Sequence, residues 1–190
     1  MYKKLLFSKL SLQNWKDFET LFGERGACGG CWCMYFRLKR SDFQKMKGEG
    51  NKKAMQSIVQ IGKIPGILAY DGKTAIGWCS VAPREDYSAL ERSRIMKPLD
   101  NKPVWSIVCF FVHKEYRNKN VSQVLIEAAV EYVKGQGGAI VEAYPVEPKK
   151  ERMPDVFAYY GLTSAFHKAG FIECERRSET RPIMRFYIQN

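Results

Sequence analysis

Apolar positions recur along the chain with two periods, and the places where one gives way to the other divide it into elements. Trp15, Phe18, Leu21 and Phe22 share one face of a 3.6-residue repeat. Ser11 is placed to cap that helix and Gly23 to stop it. A glycine- and cysteine-rich loop follows from Gly26 to Gly30, and Ser41 with Gln44 three residues later resembles a capping box. Ala54, Met55, Ile58 and Val59 predict a second helix over Lys52 to Ile61, ended by Gly62. The period then becomes that of strands. Ile67 to Tyr70, the turn Asp71-Gly72-Lys73 and Thr74 to Val81 read as a hairpin.

A polar connection runs from Pro83 to Pro103, with a helical stretch expected around Ala89 to Arg94. Val104 to Val112 is apolar except for Ser106, the signature of a central strand covered on both faces. After a polar stretch from His113 to Asn120, the stripe Val121, Val124, Leu125, Ala128, Ala129 and Tyr132 marks another helix, closed by Gly135. A strand is expected from Ala139 to Tyr144, then irregular chain around Pro145, Pro148 and Pro154. A short helix from Thr163 to Ala169 stops at Gly170, and Phe171 to Arg177 and Pro182 to Ile188 read as two closing strands. These elements make one α/β (α+β) domain over residues 1–190, a central mixed sheet with helices on both faces.

Composition narrows the function. A chain of 190 residues, 45% of them hydrophobic, can bury a full core. No stretch approaches the roughly 20 apolar residues of a membrane helix, and the run Leu5-Leu6-Phe7 behind Lys3 and Lys4 is too short for an export signal. A cytoplasmic protein is expected. Lys and Arg number 31 against 20 Asp and Glu, a net charge of +11 that favours an anionic partner. Nucleic acid is one candidate and a nucleotide cofactor with several phosphates another; the basic residues form no long block, and a solvated basic surface fits them as well.

The most informative unit is Val108 to Tyr132, where a buried strand ends, a basic loop follows and a helix starts. The first amides of a helix lack internal acceptors and its dipole favours anions. A loop entering such an end can present backbone N–H groups to a pyrophosphate. Arg117 and Lys119 add positive charge, while Asn118, Asn120, Val121 and Ser122 complete the loop and the helix start.

This unit resembles the central motif of the GNAT acetyltransferase superfamily, a strand ending in Val followed by Arg/Gln-x-x-Gly-x-Gly/Ala, here Val112 and then Arg117-Asn-Lys-Asn120-Val-Ser122. The ending Phe166-His-Lys-Ala-Gly170-Phe171 is similar to that family's last block. The run Cys28-Gly-Gly-Cys31-Trp-Cys33 is similar to one in a bacterial subgroup. The resemblance implies a mostly antiparallel sheet and an acyl-CoA, most simply acetyl-CoA, as co-substrate. Its pyrophosphate would lie on the Arg117–Ser122 loop and its pantetheine on backbone groups of Phe110 and Val112. It also implies acyl transfer to the amine of an acceptor the sequence does not identify, and pairing of two copies through edge strands.

Asn120 and Ser122 stand where the family has Gly and Gly or Ala. Phe166 occupies the position of the Tyr that protonates the departing thiolate, and Ser106 that of the glutamate base, where it could hold a water. Replacement candidates are Tyr159 and Tyr160, then His167, Glu142 and Tyr144. Lacking the usual acid and base, the chain could instead be a non-catalytic acyl-CoA sensor. Cys31, Trp32, Tyr35 and Arg37 are expected on the acceptor side. The cysteine run itself reads as a pocket wall, a thiol-reactive loop or a metal site, although no second pair completes the four ligands of a zinc centre. A basic nucleic-acid- or zinc-binding protein is the third function class; no metal is expected.

Overall fold

In the computed structural model, which describes residues 5–148 and 159–189, seven strands form one sheet. They are β1 (Leu6–Lys9), β2 (Ile67–Asp71), β3 (Thr74–Pro83), β4 (Trp105–Val112), β5 (Ile140–Ala143), β6 (Ile172–Arg176) and β7 (Pro182–Tyr187). Their order is β1-β2-β3-β4-β5-β7-β6. Every neighbouring pair is antiparallel except β4 and β5, which are parallel. The helices are α1 (Trp15–Phe22), α2 (Arg40–Lys45), α3 (Glu49–Gln60), α4 (Ser88–Glu91), α5 (Val121–Gly135) and α6 (Thr163–Lys168). The expected mixed, mostly antiparallel sheet is present.

Two apolar layers hold it. Val121, Leu125, Ile126, Ala129, Val130 and Val133 of α5 recur at helical spacing and bury against Ile76, Ile107, Phe110, Val141 and Met184 of the strands. On the opposite face Trp15, Phe18, Leu21 and Phe22 of α1 and Met55 and Val59 of α3 close over Leu68 and Trp78. Burying each large side chain contributes roughly 1.5–3 kcal/mol. A third cluster, with Phe36, Tyr87, Tyr144, Tyr160 and Ile183, extends the core beside them.

Gly77 lets α5 lie close to β3: a methyl group there would meet Leu125 at 3.0 Å and Val121 at 3.3 Å. Gly30, at φ 72°, docks the cysteine loop on the start of α3. A methyl group on it would lie 2.4 Å from the Gly48 nitrogen, which donates to the Gly30 carbonyl at 3.0 Å. Asn51 donates to the same carbonyl at 3.0 Å.

Several boundaries differ from expectation. β1 carries no readable pattern because all four residues are exposed; only its pairing with β2 makes it a strand. Ser41 and Gln44 form no capping box, since α2 starts at Arg40 with Lys39 as its cap and Ser41 lies inside. α3 starts at Glu49 rather than Lys52, because Gly48, at φ 81°, turns the chain there. Ser11 precedes a 3₁₀ turn, Leu12–Asn14, and its backbone N–H donates to the Asn14 side chain at 2.8 Å. β5 is shorter than the expected strand, and Pro154 lies outside the described residues.

Candidate active site: a wedge between two strands

β3 pairs with β4 along all of β4, but β5 pairs with it only from Trp105–Val141 to Ile107–Ala143. β5 ends there and Pro145, which has no N–H to donate, follows. The register of β3 on β4 shifts at the same level. Val81 faces Ile107 while Ser80 faces Cys109, leaving Val108 as the extra residue of a β-bulge. The bulge keeps Ile107 and Phe110 on the α5 face and sends Val108 and Cys109 both to the other. Beyond Ile107 no described strand pairs with β4 on the β5 side. Its backbone from Cys109 to Val112 therefore borders an open wedge, a sheet edge inside the molecule.

A cavity of about 800 Å³ fills this wedge. Cys109 to Val112 line one side, and Gly161, Leu162, Ser164, Ala165 and Lys168 line another. The start of α5 closes one end. Asn118 and Asn120 both take φ 57°, and Asn120 (ψ 13°) is the left-handed residue from which α5 departs. Asn tolerates that conformation better than other residues with a side chain, which explains how the turn forms without glycine. The first amide bonded within α5 is that of Val124, to the Asn120 carbonyl at 3.3 Å. The amides before it face the positive end of a fifteen-residue helix with no acidic residue in its first turn.

Phe110, Val112, Arg117, Asn118, Asn120, Val121 and Ser122 all line this cavity, so the structure brings together what the strand–loop–helix pattern predicted. Lys119 is the exception. Its ammonium lies 5.6 Å from the centre of the Tyr116 ring, outside the lining. Arg117 donates through Nε to the Val112 carbonyl at 3.2 Å and ties the loop to the strand end. The described lining includes the cations of Arg117 and Lys168 and no carboxylate, so its field favours an anion.

The sequence profile of the acetyltransferase (GNAT) family matches residues 32–158, well over half of the chain. The chain belongs to the GNAT acetyltransferase family. Solved structures share its fold. The PaiA N-acetyltransferase of Thermoplasma acidophilum, crystallised with coenzyme A, is 16% identical, with a TM-score of 0.55 over 98% of this chain and 100% of that one. A GNAT-family acetyltransferase of Streptococcus agalactiae is 12% identical, with a TM-score of 0.59 over 100% and 99%. A Drosophila melanogaster polyamine N-acetyltransferase is 9% identical, with a TM-score of 0.56 over 97% and 100%. No curated protein sequence matches the chain. The likeness of the Cys28–Cys33 run to a subgroup finds no support in these comparisons.

Against the GNAT pattern, the acid and base positions have been absorbed into the core. Phe166 is fully buried, its ring 6.0 Å from Phe110 and 5.0 Å from Phe171. Ser106 is fully buried, with Oγ 3.1 Å from the Tyr144 hydroxyl, and does not line the cavity. The expectation that it holds a catalytic water is corrected on that ground. Glu142 and Tyr144 belong to the same buried network. Tyr144 donates to Glu142 at 2.5 Å, Arg84 binds both, and Arg185 donates to Glu142 at 2.8 Å and to Asp100 at 2.7 Å. Neighbouring strands supply Ser106, Glu142 and Arg185 at one level, so the network pins the closed end of the wedge.

Of the replacement candidates, Tyr159 alone lines the cavity. Burial, then its hydrogen bond with Tyr160, pushes its phenol well above the ordinary tyrosine value, so it keeps its proton. Tyr160 stacks on it at 4.1 Å and carries the Arg181 guanidinium at 3.6 Å on its ring, one layer back. His167 is exposed outside the lining. Cys31 and Tyr35 line the cavity as expected. Trp32 and Arg37 do not. Trp32 is buried against Phe22 at 5.6 Å, and Arg37 donates to the Pro65 carbonyl at 3.0 Å and the Tyr87 hydroxyl at 3.1 Å.

Cys28 and Cys33 line the cavity beside Cys31, in keeping with a pocket wall as one of the roles open to the cysteine run; sequence reasoning missed Cys109, Ser164 and Lys168. Ser164 and Lys168 stand four apart on α6, a spacing that could have marked them as one helix face. Among the described residues no three His, Cys, Asp or Glu side chains are arranged to hold a metal ion. No described helix is long and apolar enough to cross a membrane.

Proposed function

We propose that the protein transfers an acyl group from acyl-CoA, most simply acetyl-CoA, to the amine of a small acceptor. The observation that carries this reading is the open edge of β4 leading straight to the positive end of α5 within one cavity. An extended chain with two amides can pair with Cys109 to Val112 as an added strand. The pyrophosphate then reaches the backbone of Asn120 to Ser122 and the charge of Arg117. The thioester falls near Cys109 and Tyr159, and Tyr159 is the group able to give a proton to the leaving thiolate. Tyr35, Phe36, Phe43 and Phe111 line the cavity on the acceptor side, an aromatic floor that suits an amine with an apolar body.

Coenzyme A in the Thermoplasma acidophilum relative and acetylagmatine formation by the Drosophila enzyme support cofactor and reaction class. The test is thermal unfolding with acetyl-CoA, CoA and neither. A ligand at a hundred times its Kd stabilises by about 2.7 kcal/mol, so Tm should rise by roughly 5–10 °C. An unchanged Tm at saturating concentrations of both sinks the reading.

The lack of the family's Tyr and Glu favours a second reading, an acyl-CoA sensor without turnover. Thiol release on adding a broad panel of amines marks the enzyme. Stabilisation without thiol release from any amine favours the sensor.

A further inference from the structure

We infer that Cys33 is a nucleophilic thiolate that accepts the acyl group from the bound thioester before the amine receives it. The inference rests on the acyl-CoA reading above and adds a covalent step to it.

The backbone that presents Cys33 is unusual. Trp32 and Cys33 lie consecutively in left-handed conformations, at φ 43° and 58°. Residues with a Cβ adopt these at a cost of about 1–2 kcal/mol each, and they persist only where the surroundings dictate them. Here the surroundings aim a hydrogen-bond donor at the sulfur. The Trp78 indole N–H donates to Cys33 Sγ at 3.2 Å, from a ring that is itself fully buried. The Cys109 and Ser80 side chains neighbour Cys33 and favour its anion. Behind Ser80 a chain leads to a cation. Ser80 Oγ is 3.0 Å from the Tyr87 hydroxyl, which accepts from Arg37 Nη2 at 3.1 Å. The Arg37 side chain is 4% exposed, and its Nε finds no partner among the described residues.

Donors converging on a sulfur stabilise a thiolate, because a neutral thiol is a weak acceptor and an anion a strong one. Burial alone pushes the Cys33 thiol up. The neighbouring Cys109, Trp78 and Ser80 groups, helped by the Arg37 charge, more than reverse this and bring it below the ordinary thiol value. Its neighbours go the other way. Burial raises Cys31 and Cys79, and Cys109, beside Cys33 and buried, is pushed well up.

Position completes the case. Only 3% of Cys33 is exposed, yet it lines the wedge cavity together with Cys109 and the open edge of β4. The thiolate therefore faces the space in which a thioester paired with that edge would end. In the step, Cys33 Sγ attacks the acyl carbonyl. The new carbon–sulfur bond forms, the bond to the CoA sulfur breaks, and CoA leaves as a thiolate. The amine then attacks the acyl-Cys33 carbonyl, the carbon–nitrogen bond forms, and the electron pair returns to Cys33. The proton lost by the amine is the one gained by CoA, with Tyr159 at hand to relay it. Both thioesters release a thiolate, so the covalent step changes which sulfur departs when the amine attacks and leaves the proton to be removed from the amine unchanged.

The experiment mixes the full chain with acetyl-CoA and no amine, quenches in acid, and measures intact and peptide masses. The expected result is one acetyl group per chain on peptide 26–37, mapped to Cys33, released by neutral hydroxylamine and chased off by any amine that supports thiol release. Cys33→Ser should lose the label while acetyl-CoA still raises its Tm, which shows that the variant folds and binds. Wild-type chain that is stabilised by acetyl-CoA and turns over an amine, yet carries no acetyl group on Cys33 even under rapid quench, overturns the covalent step and leaves the acyl-CoA reading intact. Absence of stabilisation by acetyl-CoA overturns both.

Discussion

Asn120 has to hold the left-handed turn from which α5 departs, a role the GNAT pattern assigns to glycine. Asn120→Gly should therefore keep stability and CoA affinity. Asn120→Val should cost about 1–2 kcal/mol in urea unfolding and weaken CoA binding by tilting the helix amides. Equal affinity for CoA in both variants would show that the turn does not shape the anion site. The loop was legible because its residues are consecutive: strand end, cations and helix start can be read in one line. Cys109 and Lys168 were not, and nothing in the sequence joined them to Cys33 and Tyr159, because the four meet only after separate segments fold. Cys109 in particular turns toward the cavity because Val108 is a bulge, and a bulge leaves no mark in the alternation of an all-apolar strand. Ser106 is a candidate only because it occupies the family's glutamate position, and its hydroxyl serves the buried network instead.

At the level of elements, helices with long apolar stripes and the tight hairpin at Gly72 were readable, since local pattern and tertiary burial agree there. β1 was not, because an exposed edge strand is specified by its neighbour rather than by itself. The contact of α5 with β3 decides where the anion loop sits. Gly77 leaves room for Val121, the first residue of that helix, so any side chain there must lift the helix start. Gly77→Ala should destabilise by about 1–3 kcal/mol, the usual cost of overpacking, and lower CoA affinity although it touches no ligand. Calorimetric titration with CoA checks this. A stability loss with unchanged affinity would mean that α5 moves as a unit without disturbing its first turn.

The whole molecule is two arms, β1 to β4 and β5 to β6, joined along the three residue pairs of the parallel ladder. Glu142 lies fully buried at this junction between Arg84 and Arg185. Removing its charge leaves two guanidiniums short of a counter-ion in a dry setting. Glu142→Gln should cost about 3–5 kcal/mol, read as a lower urea midpoint at unchanged slope. A loss below about 1 kcal/mol would show that Asp100 and Glu91, which pair with the same arginines, suffice alone.

The edge of β4 inside the wedge has one more consequence, for the fate of the empty protein. Unpaired strand edges are where chains join one another and aggregate, and proteins usually place charge or cover on them. On the proposed acyl-CoA reading, the rung that would cover this edge of β4 is the bound cofactor. On that reading, protein without acyl thioester should aggregate sooner on heating than saturated protein, which light scattering during a thermal ramp checks.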